Sequence, residues 1–240
     1  MVKNIREEWL TSNGVFETLR TYDNQPFALE AHLSRLALGM DELGIQNVEL
    51  SVIRGEIAKE LSATPQSQGH LRIVVTDGGE ISILHQPYKT PKKSIKCVTM
   101  HRNVEAKSYK STDYQWRFEL RSVALGKGLD DVILISPDDY VIEASTCNLI
   151  ALTDRGWITP TLATGCLPGV TRKFLMKEFG VQESPIKREE LLTAKSVALT
   201  SSLREIQNVE EVDGKIFLNS RETEALKIQF HSWILGNLAL

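Results

Sequence analysis

Residues 130–160 read DDVILISPDDYVIEASTCNLIALTDRGWITP. Short runs rich in Val, Ile and Leu are separated by PDD at 137–139 and DRG at 154–156, the residue types that form tight turns. The spacing predicts four short strands in succession, DDVILIS, YVIEAS, CNLIAL and WITP. Before them, CVTMHRNV reads as a strand and QWRFELRSVALGKG as a helix that ends in glycines. After them come a helix at GVTRKFLMKEFG closed by Gly180, a strand at VALTSS, a hairpin at VEEVDGKIF and a last helix. These elements make a large, sheet-rich unit.

The N-terminal part has a different rhythm. GVFETLRTY reads as a strand, and Leu29, Leu33, Leu36, Met40 and Leu43 then recur at steps of three and four, the period of an amphipathic helix. Ile53, Ile57 and Leu61 mark a second helix, and LRIVVT and ISILHQ form a hairpin around Asp77, Gly78 and Gly79. PYKTPKKS, with two prolines and three lysines, has almost nothing to bury and reads as a linker near residues 87–93. The expected fold class is therefore α/β in the α+β sense: a small N-terminal α/β domain, 1–87, and a larger sheet-rich C-terminal domain, 92–240. No internal repeat, P-loop or GxGxxG motif is present.

With 240 residues, 42% of them hydrophobic, the chain has enough apolar material for real cores. A net charge of −3 gives no electrostatic case for nucleic acid or an anionic membrane as partner, which points to a small molecule. MVKNIREEWL lacks the apolar core of a secretory signal, and Cys97, Cys147 and Cys166 form neither a disulfide pattern nor a metal-binding spacing. The expected setting is the cytoplasm, with no metal. The tail FHSWILGNLAL is too short to cross a bilayer, which takes about 20 residues, and reads as a terminal helix packed on the core or on a partner subunit.

Singly, the polar residues of these segments are ordinary. Arg35 in EAHLSRL suits the edge of an amphipathic helix, Lys110 in SYKSTDY a solvated charge, Glu143 in YVIEAST an outward strand position, and Gly169, Val170 and Thr171 a helix start. Together they match the needs of pyridoxal 5′-phosphate (PLP). That cofactor takes a lysine for its covalent link, a cation and helix-start N–H groups for its phosphate, and an acid facing its pyridine nitrogen.

The order of the motifs turns this match into a resemblance. GVFETLR, HLSRL, YKSTDY, VIEASTCNLI, LPGVTR and LTSSLREI, spread over roughly residues 13–217, resemble the motif series of the fold-type IV PLP enzymes. This class IV aminotransferase family includes branched-chain aminotransferases, D-amino acid aminotransferases and 4-amino-4-deoxychorismate lyases. The resemblance implies that Lys110 holds the cofactor and shuttles the proton, that Glu143 faces the pyridine nitrogen and that Arg35 binds the phosphate. It further implies phosphate contacts from the N–H groups of Val170 and Thr171, the Thr171 hydroxyl and Ser202, with Ser201 as the alternative. Tyr114 stands one residue nearer the lysine than the tyrosine of branched-chain aminotransferases.

Phe16 and Arg20, four apart on a strand, point to one side. In the family this strand borders the substrate pocket, so Arg20 is either a substrate-carboxylate ligand or a surface arginine paired with Glu17 or a neighbouring strand. Two departures stand out. Only about a dozen residues precede Gly14, so the first sheet is expected to lack an edge strand. Where D-amino acid aminotransferases carry a carboxylate-binding arginine and histidine, this chain has Thr76, Asp77, Gly78 and Gly79, which disfavours that activity. The leading expectation is 4-amino-4-deoxychorismate lyase; the alternative is a branched-chain or other amino acid transaminase, and a non-catalytic ligand-binding scaffold comes last. A homodimer is expected, because the shortened N-terminus and the apolar tail at Trp233, Ile234 and Leu235 would leave surface to cover.

Overall fold

A computed structural model of the chain describes residues 13–218 and 221–238. The expectations about the first dozen residues lie outside the described residues. The chain divides into two compact units that are not contiguous in sequence. One takes the chain up to Lys89, the segment Ser108–Gln115 and the chain end from Ile234; the other takes Thr90–Lys107 and Trp116–Trp233.

The first unit is an antiparallel sheet in the order β2-β1-β3-β4, with β1 Gly14–Tyr22, β2 Gln25–Pro26, β3 Gln68–Thr76 and β4 Ile81–Pro87. Helices α1 (Leu29–Glu42) and α2 (Leu50–Ala63) cover one face. The alternation of a strand explains which side chains they cover. Val15 and Leu19 of β1 and Leu71, Ile73 and Val75 of β3 meet Leu33, Leu36, Met40, Ile53 and Ile57 in a single core. The other parity of β1 (Phe16, Thr18, Arg20, Tyr22) and its register partners on β3 (Val74, Arg72, His70, Gln68) take the opposite face. Gly39 is required on α1, since a Cβ there would fall 2.7 Å from Val15 Cγ1 and 2.9 Å from Tyr109 Cβ. The helix can thus lie close against β1 and the residue beside Lys110.

The second unit holds nine strands among the described residues, in the order β10-β9-β8-β11-β12-β5-β6-β7, with β13 paired to β12. They are β5 Ser94–His101, β6 Asp131–Ile135, β7 Val141–Ala144, β8 Asn148–Thr153, β9 Gly156–Thr159, β10 Gln182–Glu183, β11 Ser196–Ser201, β12 Glu205–Val212 and β13 Lys215–Ile216. The four strands expected in residues 130–160 are β6 to β9. After Asp131, strand β6 is apolar, Val132 to Ile135, because both of its faces are buried. Ile133 and Ile135 join the core with Cys97, Leu149 and Val197, while Val132 and Leu134 face Ala124, Trp116 and Leu120 of α3 (Gln115–Gly126). Strands β5 and β6 are parallel, so a crossover must join them; it contains Ser108–Gln115, which belongs to the first unit, and then α3. The remaining helices are α4 (Val170–Glu178), the short α5 (Arg188–Thr193) and α6 (Arg221–Gly236).

The tail forms a terminal helix packed on its own chain, one of its two expected settings. Phe230 and Ile234 are each only 1% exposed, and Phe230 and Trp233 pack with Phe179, Trp233 also touching Phe174. The helix therefore covers most of its apolar side within its own chain, and of the three tail residues expected to need a partner Leu235 is the one that is largely exposed. No helix among the described residues is long and apolar enough to cross a membrane.

Candidate active site

In the first unit, the lysine segment is docked on the start of β1. Phe16 N donates to Lys110 O at 3.0 Å, Thr112 N donates to Gly14 O at 2.9 Å, and Val15 and Ser111 form an antiparallel bridge. The backbone of Lys110 is thereby fixed by the strand that presents Phe16. Lys110 Nζ lies 4.8 Å from the Phe16 ring centroid and 5.4 Å from that of Tyr114, and the two rings meet edge to face at 5.1 Å. The amine sits against apolar ring faces that hold it by cation–π attraction. Phe16, Lys110 and Tyr114 are thus brought together.

On the helix side of the same strand, Glu17 is fully buried. It accepts from Arg35 twice, Nε to Oε1 at 2.7 Å and Nη2 to Oε2 at 2.8 Å, and Oε2 lies 2.6 Å from His32 Nδ1. Burial alone would raise the Glu17 pKa, but Arg35 and His32 outweigh it and hold the carboxyl well below the usual carboxylate range. Burial moves His32 the other way, below the ordinary histidine value, against the pull of Glu17; the charge of Lys110 adds to that lowering. Arg35 is accordingly oriented by a buried acid that the sequence reading did not pair with it.

Arg20 is held by Gln68, to which Nη2 donates at 2.7 Å, with its guanidinium 4.7 Å from the Tyr22 ring and 4.0 Å from the Tyr88 ring. The sequence reading assigned nothing to Arg72, yet it opposes Thr18 in register and its guanidinium lies 5.9 Å from the Phe16 ring. The available signal was a charged residue interrupting LRIVVT on the parity that pairs with Phe16 and Arg20.

In the second unit, Glu143 on β7 is 3% exposed. Its Oε2 accepts from Asn148 Nδ2 and from Leu167 N, both at 3.1 Å. Arg117 Nη2 stands 2.8 Å from Oε1 as an ion pair, but not in hydrogen-bonding geometry, and Oε1 is a buried acceptor with no hydrogen bond. Val170 and Thr171 open α4, are both buried, and follow Gly169, which gives the helix no side-chain cap. A Cβ at Gly169 would overlap Asn148 Oδ1, so the glycine lets the helix start approach the residue that holds Glu143. Ser201 closes β11 and accepts from Arg204 N at 3.1 Å; Ser202 follows in the turn. Thr200, paired with Asn148 in register, has a buried hydroxyl with no hydrogen-bond partner. Burial, reinforced by nearby Glu143, pushes the Cys166 thiol up to about 12, so it is no nucleophile near neutral pH.

These residues fit PLP. An uncapped, buried helix start suits a phosphate. A buried carboxylate oxygen that lacks a hydrogen bond, on a group whose other oxygen is already doubly held, suits a protonated ring nitrogen.

Residues 14–212 match the family model for amino-transferase class IV. A putative branched-chain-amino-acid aminotransferase of Methanocaldococcus jannaschii is 25% identical over 91% of this chain and 85% of its own, and the aminodeoxychorismate lyase of Bacillus subtilis is 27% identical over 83% and 78%. Among solved structures, a putative 4-amino-4-deoxychorismate lyase from Legionella pneumophila superposes with a TM-score of 0.85 at 21% identity, covering 96% of this chain and 94% of that one. The branched-chain aminotransferase of Escherichia coli gives 0.82 at 20% identity, covering 94% and 86%. On the extent of the match, the chain belongs to the class IV aminotransferase family of PLP enzymes.

Proposed function

We propose that the chain is a lyase that converts 4-amino-4-deoxychorismate to 4-aminobenzoate and pyruvate, acting in the cytoplasm as a homodimer. The observation that carries this reading is the outer face of the first unit's sheet, where Phe16, Arg20 and Arg72 share one side and Lys110 Nζ stands over the Phe16 ring. The Arg72 guanidinium beside Phe16, with Arg20 further along the same face against Tyr22 and Tyr88, suits a substrate with two carboxylates on an unsaturated ring. A branched-chain amino acid has one carboxylate and an aliphatic side chain. The similarity to the B. subtilis lyase supports the same reading, and three free, buried cysteines suit a reducing compartment.

When bound, PLP supplies the electron sink for the bond broken at the substrate's amino-bearing carbon. Lys110, which carries the cofactor between turnovers, takes the proton from that carbon and returns one to the departing three-carbon group, acting as base and then acid. The C–O bond to that group breaks, the ring becomes aromatic, and no second substrate is consumed. Arg72 and Arg20 orient the two carboxylates. Glu143 Oε1 would accept a hydrogen bond from the protonated ring nitrogen, while Arg35, Val170, Thr171 and Ser202, or Ser201 beside it, would hold the phosphate. Tyr114 packs beside Phe16 and limits where the amine of Lys110 can point.

A transaminase for branched-chain amino acids is the second reading, supported by the M. jannaschii relative and by a probable branched-chain-amino-acid aminotransferase of Thermotoga maritima, 29% identical over 92% of this chain. The two differ in stoichiometry. Incubation with 4-amino-4-deoxychorismate and no 2-oxo acid should release 4-aminobenzoate and pyruvate in equal amounts over many turnovers. A strict requirement for a 2-oxo acid acceptor would defeat the lyase reading.

A further inference from the structure

We propose that Arg117 is a positioning residue for Glu143, fixing the carboxylate whose free acceptor faces the cofactor's ring nitrogen; this rests on the role given to Glu143 above. The carboxylate is held from three elements. Asn148 on β8 and the backbone of Leu167 fix Oε2, and Arg117, in the first turn of α3, sets Oε1. Arg117 is itself 7% exposed and doubly placed, its Nη1 donating to Ser145 O at 3.1 Å and its guanidinium lying 4.5 Å from the Trp116 ring. Ser145 in turn donates through Oγ to Asp131, which accepts from Arg204 Nη2 at 2.9 Å. Glu143, Arg117, Asp131 and Arg204 thus alternate in sign through the interior of the second unit, each adjacent pair joined directly or through Ser145.

Two physical consequences follow. A buried carboxylate without a compensating cation turns toward another donor, and Arg117 prevents this. Because Nη2 approaches Oε1 out of hydrogen-bonding alignment, the cation compensates the charge without occupying the lone pair. A lysine at this position could neutralise Glu143, but one ammonium could not also keep the Ser145 contact in the planar, two-nitrogen geometry that aims the charge.

The test uses the holoenzyme with Arg117→Gln, Arg117→Lys, Glu143→Gln and the double variant Arg117→Gln/Glu143→Gln. Arg117→Gln should lower kcat at least about tenfold while KM and the PLP dissociation constant stay within about threefold, and Arg117→Lys should fall in between. In the Glu143→Gln background the same Arg117→Gln change should alter kcat by less than about twofold, because the group it acts through is gone. Independently of turnover, the 15N resonance of ring-labelled PLP should move toward the neutral-pyridine position in Arg117→Gln, and less far in Arg117→Lys. Should Arg117→Gln not fold, the Arg117→Lys shift alone decides. An unchanged kcat and ring resonance, or an equal loss in both backgrounds, would overturn the proposal. Near-normal turnover of Glu143→Gln would instead remove the reading of Glu143 on which it rests.

Discussion

Replacing Glu17 by Gln removes the negative charge from a fully buried site while preserving its shape. The carboxylate receives two charge-assisted bonds from Arg35 and one from His32. An amide offers one acceptor and turns its NH2 toward the remaining donors, leaving the Arg35 charge largely uncompensated. Breaking a buried ion pair from one side costs about 3–5 kcal/mol. Because the amide retains one bond, the expected loss lies at the lower end, about 3 kcal/mol, or roughly 6–12 °C in Tm for a chain of this size. The assay is urea and thermal unfolding of the cofactor-free chain at fixed concentration. The pH dependence gives a second signature. Glu17 is held below its ordinary 4.5 in the folded chain, so its stabilisation is complete above that value and is lost as pH falls. Between 4.5 and the folded value, the wild type loses about 1.4 kcal/mol per pH unit from this group and the variant does not. The gap should therefore shrink by about half between pH 7 and pH 3.5. A gap below about 1 kcal/mol at pH 7, or one that does not change with pH, would refute the argument.

Borohydride reduction of the holoenzyme followed by peptide mapping should place the pyridoxyl label on Lys110, and Lys110→Ala should lose the cofactor's absorbance band while keeping the far-ultraviolet circular dichroism; a label on Lys107 would overturn the assignment. Sedimentation at micromolar concentration should give twice the 26.9 kDa chain mass, with dilution lowering specific activity and PLP opposing dissociation. A fully active species at the single-chain mass would remove the dimer from the proposal.

The long elements were legible because their burial is periodic. The Leu29-to-Met40 pattern became α1, the runs of residues 130–160 became β6 to β9, and Asp213–Gly214 formed the turn between β12 and β13. Strands β2 and β10 and helix α5 were not anticipated, since segments of two to six residues carry too little pattern to read. Among the candidate residues, Phe16, Lys110 and Tyr114 were each singled out, but neither their grouping nor the partners of Arg35 and Glu143 were anticipated. Glu17 lies in a strand whose neighbours on both sides are apolar or small, and nothing local says that it pairs with a helix 18 residues on. Arg117 likewise sits in an ordinary amphipathic helix, and its role comes from a strand residue 26 positions later, a juxtaposition created by the packing of α3 on β6. For the tail both settings stayed open, because an apolar helix reads the same from sequence whether its own chain or another covers it.

The docking of the lysine segment on β1 sets an order on biosynthesis. Gly14 and Thr112 are 98 residues apart. Holding them together closes a loop whose entropic cost is about 4 kcal/mol before any constant is added, which the few backbone bonds at the junction do not offset by themselves. As the ribosome releases the chain, β1 to β4 and both of their helices are complete well before residue 110 emerges, so the edge that receives the lysine waits for it ready-made. The lysine proposed to carry the cofactor is consequently a late acquisition of a sheet already built: until the crossover returns to β1, its amine has no fixed geometry in which to act.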